Sequence, residues 1–460
     1  MRPRLAALVA FLFVSGLSTQ FALGQPAPAP TATTLVKVGR LLDVRSGRYS
    51  ENQGILVEGE RIKEVGPLAE VEAHVVKDAL VVDLSKATVL PGLIDTHTHL
   101  LDARSLGVNF YEGAIIRIVQ GRQARQALWG AATAREMLQV GFTTVRDMGD
   151  SGGNGDAALR DAIEDGWVVG PHLIAVTKKL APPGGEHIYV QAESAKALVR
   201  QEFLIVGKVE DAAEAVREAI HIGANYIKII VDDGRRTLRV EEMRAIVDEA
   251  HRLKFKVAAH ANTEEAVKVS VEAGVDSVEH AYEVSDESLK AMHDKGIFLV
   301  PTDLTPAALA EIINKTLAPE AERPAELYGF IKFQEGARER LQRAKRFGVR
   351  MAAGSDMAFI WPGKTRGQAS LRMFEAYRLS GLAPLEIIRM ATVNASELLG
   401  WEDRVGTIEA GKYADFVAMD GDPLQDLGEL QRVTFVMKSG AVVDLRDRGK
   451  VLHEASKTRG

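Results

Sequence analysis

The residues of this 460-residue chain that could do chemistry are strung along it, one after another. His97 and His99 stand two apart near the end of the apolar stretch Val89–Leu101, VLPGLIDTHTHLL, with Asp95 just upstream. Successive strand side chains point to opposite faces, so residues i and i+2 share a face. Two imidazoles on one face behind a carboxylate can begin a metal site. Taken alone, a His-x-His pair is as often a solvated loop. Further donors follow: Lys228 inside the apolar run Tyr226–Val231, His260 after Lys256-Val-Ala-Ala, His280 after Ser277-Val-Glu, and Asp356 after Gly354-Ser. Each has a plainer role by itself. Lysine is rarely buried unless paired, a lone histidine is more often part of a structural hydrogen bond, and aspartate commonly caps a helix. All six fall at equivalent strand positions, and together they point to one metal site. With no cysteine in the chain, nitrogen and oxygen donors must hold the metal.

An alternation of strand and helix must position these residues. Thr143-Thr-Val-Arg precedes a helix over 156–165, and His172-Leu-Ile-Ala-Val precedes one over 209–221. Asn225–Val231 is followed by a helix over 241–253, and Lys256–His260, Val275–His280, Ile297–Pro301 and Arg350–Asp356 continue the series. With the strand that carries His97 there are eight βα units, which predict a (β/α)8 TIM barrel over 91–403 with its active site at the strand C-termini. Segments 35–90 and 404–450 contain only short β-prone runs joined by turns, and neither builds a stable sheet alone. They are expected to form one small β-sandwich domain from both chain ends. Two long connections, 177–208 and 303–324, read as functional loops.

The chain opens with Arg2 and Arg4, an apolar run Leu5–Val14 and small residues near Gly24. This pattern predicts a signal peptide over 1–24, too short in its apolar core to span a bilayer. A Pro/Ala linker over 25–34 follows, and 451–460 is a polar tail. The mature protein is expected to be exported, periplasmic or secreted, and free of the membrane. A net charge of −6 without a basic run argues against nucleic acid, and nothing suggests a polymer groove. A small-molecule substrate is expected, and a homo-oligomer is compatible with the composition.

The His97-Thr-His99 motif after Pro91-Gly-Leu-Ile-Asp, with Lys228, His260, His280 and Gly354-Ser-Asp356, resembles the amidohydrolase superfamily. Thr144-Val-Arg-Asp-Met-Gly, Ile227-Lys-Ile and Ser277-Val-Glu-His narrow the likeness to its imidazolonepropionase-like branch, which contains metal-dependent Xaa-Pro dipeptidases and ochratoxin-hydrolysing amidases. The resemblance implies two divalent ions, zinc before manganese or cobalt, bridged by a carboxylated Lys228 and a hydroxide. His97, His99 and Asp356 would hold one ion, and His260 and His280 the other. Asp356 would also act as the general base. One departure is Asn262, where some relatives carry an aromatic residue or a second histidine.

Two further residues are assigned to the substrate. His187, in Pro182-Pro-Gly-Gly-Glu-His, is expected to polarise the scissile carbonyl. Arg146, at a strand end, is read either as a reader of a substrate carboxylate or as a structural ion-pair partner. The expected activity is hydrolysis of dipeptides or N-acyl amino acids. The alternatives are a cyclic amide or lactone hydrolase and a metal-stabilised binding protein without catalysis.

Overall fold

The computed structural model describes residues 32–103, 121–149, 153–186, 199–232, 236–316 and 336–446. The expected signal peptide, most of the linker, the tail and His187 lie outside the described residues. The chain begins with β1 (Thr33–Asp43), β2 (Arg48–Glu58), β3 (Arg61–Pro67) and β4 (Leu80–Pro91).

Among the described residues, nine parallel strands follow. β5 (Leu93–Thr98), β6 (Phe142–Asp147) and β7 (His172–Ala175) form a three-stranded sheet. β8 (Lys179–Ala181), β9 (Phe203–Ile205), β10 (Ile227–Ile230), β11 (Val257–Ala261), β12 (Ser277–His280) and β13 (Phe298–Val300) form a six-stranded one, ordered β13-β12-β11-β10-β8-β9. Parallel bridges Leu299–Met351 and Thr98–Met357 put the segment that carries Asp356 between β13 and β5. On the other side, the amide of Asn225, just ahead of β10, donates to the Ala175 carbonyl of β7.

The expected third strand is thus divided. It leaves the extended conformation at Thr177, where φ is 59°, and resumes as β8. The first long connection therefore contains β8 and β9, since the turn-forming Pro182-Pro-Gly-Gly comes only after Lys179-Leu-Ala has paired with its neighbours. The second opens with a helix, Pro306–Thr316, because proline suits a first helical position and Ala/Leu-rich sequence continues it. Helices Gly155–Glu164, Ala212–His221 and Val240–Arg252 lie within a few residues of their expected positions.

β14 (Phe416–Met419), β15 (Phe435–Lys438) and β16 (Ala441–Val442) return to the first strands. Both chain ends join in one seven-stranded sheet, β16-β15-β14-β4-β1-β2-β3, in which Val417 of β14 faces Leu90 of β4. One face buries Val36, Val38, Ile55, Val57, Phe416 and Met437 together.

The alternation of strand side chains sorts the parallel strands into two layers. Ile227, Ile229, Val278 and Leu299 share the large core cluster with helix residues such as Val216, Ile246 and Leu289. Ile94, Ile174, Tyr226, Ala258, Phe298 and Val300 form a separate inner cluster, into which Leu398 and Leu399 of helix Val393–Leu399 also pack. Lys228 falls in phase with Tyr226, on the inner side. Among the described residues no helix is long and apolar enough to cross a membrane.

Candidate metal centre

Four imidazoles and one carboxylate converge where β5, β11 and β12 end. Ring centroids of His97 and His99 lie 5.5 Å apart, His97 and His280 5.1 Å, and His260 and His280 4.5 Å. Asp356 Oδ1 is 3.1 Å from His99 Nε2 and 3.6 Å from His97 Nε2, and its Oδ2 is 3.9 Å from His280 Nδ1. Its carboxylate spans both halves of the cluster.

The far side of each ring explains what the near side must be. His99 Nδ1 lies 2.8 Å from the Gly149 carbonyl, and His97 Nδ1 lies 2.7 Å from Glu279 Oε2. Both partners only accept, so both Nδ1 atoms carry the proton. In neutral rings the Nε2 atoms then present lone pairs, and both are aimed at a carboxylate oxygen. The ligand atoms of His97, His99 and Asp356 lie within 4.8 Å of one another. Lone pairs so arranged repel unless a cation lies between them, and the donor set suits a divalent metal.

Electrostatics agree with that reading. Burial, reinforced by the charge on Lys228, pulls His97 down to about 4, and burial with His260 pulls His280 well below its ordinary value. Burial alone would push Asp356 up. Positive charge at the facing His97, His99 and His280 rings overcomes it and holds the carboxyl well below the usual range, a charge that a bound cation supplies when the rings are neutral. Neutral imidazoles and an ionised carboxylate are the forms a metal requires.

Lys228 is 2% exposed, and its Nζ has no hydrogen-bond partner among the described residues. Burial lowers its amine to about 8, against the pull of Glu279 and Asp356. An amine in this state keeps far more free base at neutral pH than an ordinary lysine, which fits its expected conversion to a carbamate.

Two of the donors sit on left-handed backbone, His280 with φ 71° and Asp356 with φ 48°. Strict alternation would send Glu279 and His280 to opposite faces. The turn at His280 lets both face His97, and such strain concentrates at functional sites. Asp95, the carboxylate just upstream of the histidine pair, is scaffolding. Its Oδ1 accepts from the amides of His97 (3.1 Å) and Ser355 (3.0 Å), tying the ends of two strands together. Burial pushes its carboxyl up to about 7.

Of the two readings of Arg146, the structure selects the structural one. The side chain is fully buried, its Nε donates to the Thr96 carbonyl (2.6 Å) and its Nη2 to Glu279 Oε1 (2.8 Å), while the guanidinium lies over the Tyr226 ring. Its donors are turned to Thr96 and Glu279, away from solvent. It charges and orients Glu279, which in turn orients His97.

His260 differs from the other rings. Its Nε2 lies 2.8 Å from the Asn262 side-chain nitrogen and 3.9 Å from Glu186. Reading the sequence left Glu279, Thr302, which bonds His280 Nδ1 at 2.7 Å, and Glu186 without roles. The signal for Glu279 was present, since it immediately precedes a candidate ligand.

Known proteins resemble this chain over most of its length. Residues 88–443 match the model of the Amidohydrolase family. Ochratoxinase from Aspergillus niger is 28% identical over 440 residues, covering 88% of this chain and 86% of that protein. Imidazolonepropionase from Clostridium tetani is 26% identical over 403 residues, covering 82% of this chain and 86% of that protein. A solved prolidase complexed with N-methylphosphonate-L-proline superposes with a TM-score of 0.76 at 30% identity, covering 90% of this chain and 100% of that one.

Proposed function

The chain belongs to the amidohydrolase family and is a hydrolase acting on amide bonds, and from that premise we propose that it cleaves dipeptides or N-acyl amino acids at a centre for two divalent ions, zinc by first choice. The observation that carries this reading is the convergence of two histidine lone pairs on one Asp356 oxygen. His97, His99 and Asp356 are the set for one ion, His260 and His280 the set for the other. Lys228, as the carbamate formed when CO2 adds to its free amine with loss of one proton, would supply oxygen donors to the ions. When bound, the ions supply an activated water near neutral pH and polarise the scissile carbonyl. Asp356 accepts a proton from the attacking water and returns it to the departing amide nitrogen. His187 is the proposed donor to the carbonyl oxygen.

In this reading the two parallel sheets close as a (β/α)8 barrel, and the chain-end sheet curls over its buried face to make a small β-sandwich beside it. The prolidase, whose ligand ends in L-proline, supports an amide with a free carboxylate on its leaving group. The imidazolonepropionase likeness favours a cyclic amide as the second reading. The residues over 1–24 support export. Protein purified without chelator is expected to carry about two ions per chain and to turn over members of a dipeptide and N-acyl amino acid panel. One ion or fewer by elemental analysis, or no turnover across the panel, rejects the proposal.

The buried tie behind His97 gives a separate expectation. Glu279→Gln keeps a hydrogen-bond acceptor but removes the charge that Arg146 balances. Metal affinity, measured by competition with a chromogenic chelator, should fall about 10–100-fold. An unaltered affinity would mean that Glu279 only packs.

A further inference from the structure

Three arginines are buried among the described residues: Arg146, Arg340 and Arg366. Two are held by protein acceptors. Arg146 is committed to Glu279 and the Thr96 carbonyl, and Arg366 to the carbonyls of His99, Met357 and Asp102. Arg340, on helix Ala337–Arg346, is different. It is 3% exposed and, among the described residues, its side chain makes one hydrogen bond, from Nη2 to Asp303 Oδ1 at 2.6 Å. Its Nε and Nη1 are sealed from solvent with no partner there, and Asp303 Oδ2 is likewise unpaired. Unmade hydrogen bonds on a buried charge are costly, and native proteins seldom keep them without a use.

The position of this guanidinium suggests that use. It lies over the ring of Tyr282, 5.1 Å from the centroid, and the same ring is 5.6 Å from that of His280. A second route also joins them, because Thr302 bonds His280 and the next residue, Asp303, bonds Arg340. Arg340 is therefore about one side chain removed from the candidate ligands. In a dipeptide or N-acyl amino acid, only the amide nitrogen and one carbon separate the scissile carbonyl from the terminal carboxylate. A carboxylate reader must stand close to the ligands without being one of them. A planar guanidinium with unmet donors, backed by an aromatic face, suits a planar carboxylate.

We infer that Arg340, flanked by Tyr282, binds the free carboxylate of the substrate's leaving group, the task that the sequence offered to Arg146. Asp303 holds the guanidinium from one end and competes with the incoming anion. Only Oδ1 of Asp303 engages the guanidinium, so Nε and Nη1 stay available to the anion. The inference rests on the amide-hydrolase reading for its substrate class.

The test uses the full-length, metal-loaded protein, with metal content checked in every variant. Rates are compared for the best panel substrate as the free acid and as its C-terminal amide. Wild type is expected to prefer the acid. Arg340→Met should lower kcat/KM for the acid by about 10–100-fold and for the amide far less, the usual scale for one hydrogen bond to a charged group. Asp303→Asn, which leaves the guanidinium without its competing anion, should lower KM for the acid. It also carries the test if Arg340→Met does not fold. Equal losses on acid and amide, or an unmoved acid-to-amide ratio in Asp303→Asn, would overturn the inference. If wild type cleaves no panel amide, the functional reading fails by itself, and calorimetric titration with N-acetyl-L-proline decides the inference. Binding by wild type that is lost in Arg340→Met upholds it; no binding, or equal binding by both proteins, overturns it.

Discussion

Asp356→Asn is expected to keep part of its metal while turnover falls by at least ~10²–10⁴-fold, the usual loss when a general base is removed. The substitution is mild in every respect but one. The amide keeps the side-chain volume and a carbonyl oxygen that can still ligate. Asparagine also tolerates the left-handed backbone that Asp356 occupies at φ 48°, so the strand end should hold its shape. The charge and the proton-accepting capacity are lost. With Oδ1 against His99 and His97 and Oδ2 toward His280, Asp356 is the carboxylate that reaches both halves of the site. Its loss is therefore felt by the metals as well as by the proton transfer, and the deficit can exceed the range for a base alone. The measurement is kcat on the dipeptide panel beside metal content and a thermal melt. Near-wild-type kcat in a folded, metal-bearing variant would reject the role given to Asp356.

Lys228→Met is expected to lose most of the bound metal while the metal-free fold becomes no less stable. Both halves follow from one feature. The Lys228 amine is buried in phase with Tyr226, without a hydrogen bond among the described residues. An unpaired ammonium there destabilises the fold and repels cations. An apolar side chain of similar length removes that burden, as replacing buried charges by well-packed apolar groups often does. A carbamate reverses the account, since it brings a negative charge and two oxygens near His97 and His280, whose rings feel the Lys228 charge. Methionine cannot be carboxylated, so added bicarbonate should restore nothing. Elemental analysis and a melt of the chelated protein read the two effects separately. A Lys228→Met protein that still holds about two ions would remove the bridging role.

Much of this was available from sequence because it is encoded locally. Apolar alternation and turn residues placed the strands, 3.6-residue periodicity placed helices such as Val240–Arg252, and a side chain's place in a strand set the face it would occupy. From these alone His97, His99, Lys228, His260, His280 and Asp356 fell at equivalent strand positions. What local pattern could not encode was partnership. Glu279 meets His97 across 182 residues and Arg146 across 133, and Arg340 meets Asp303 across 37. Each of these pairs exists only once neighbouring elements dock in a definite register. The same holds for the left-handed turns at His280 and Asp356, which those residue types permit but do not place. Sequence therefore determined which side chains could serve as ligands, since that depends on residue type and strand phase. The tertiary structure decided which arginine orients the site and which is left with donors to spare, because hydrogen bonds are allotted by three-dimensional proximity.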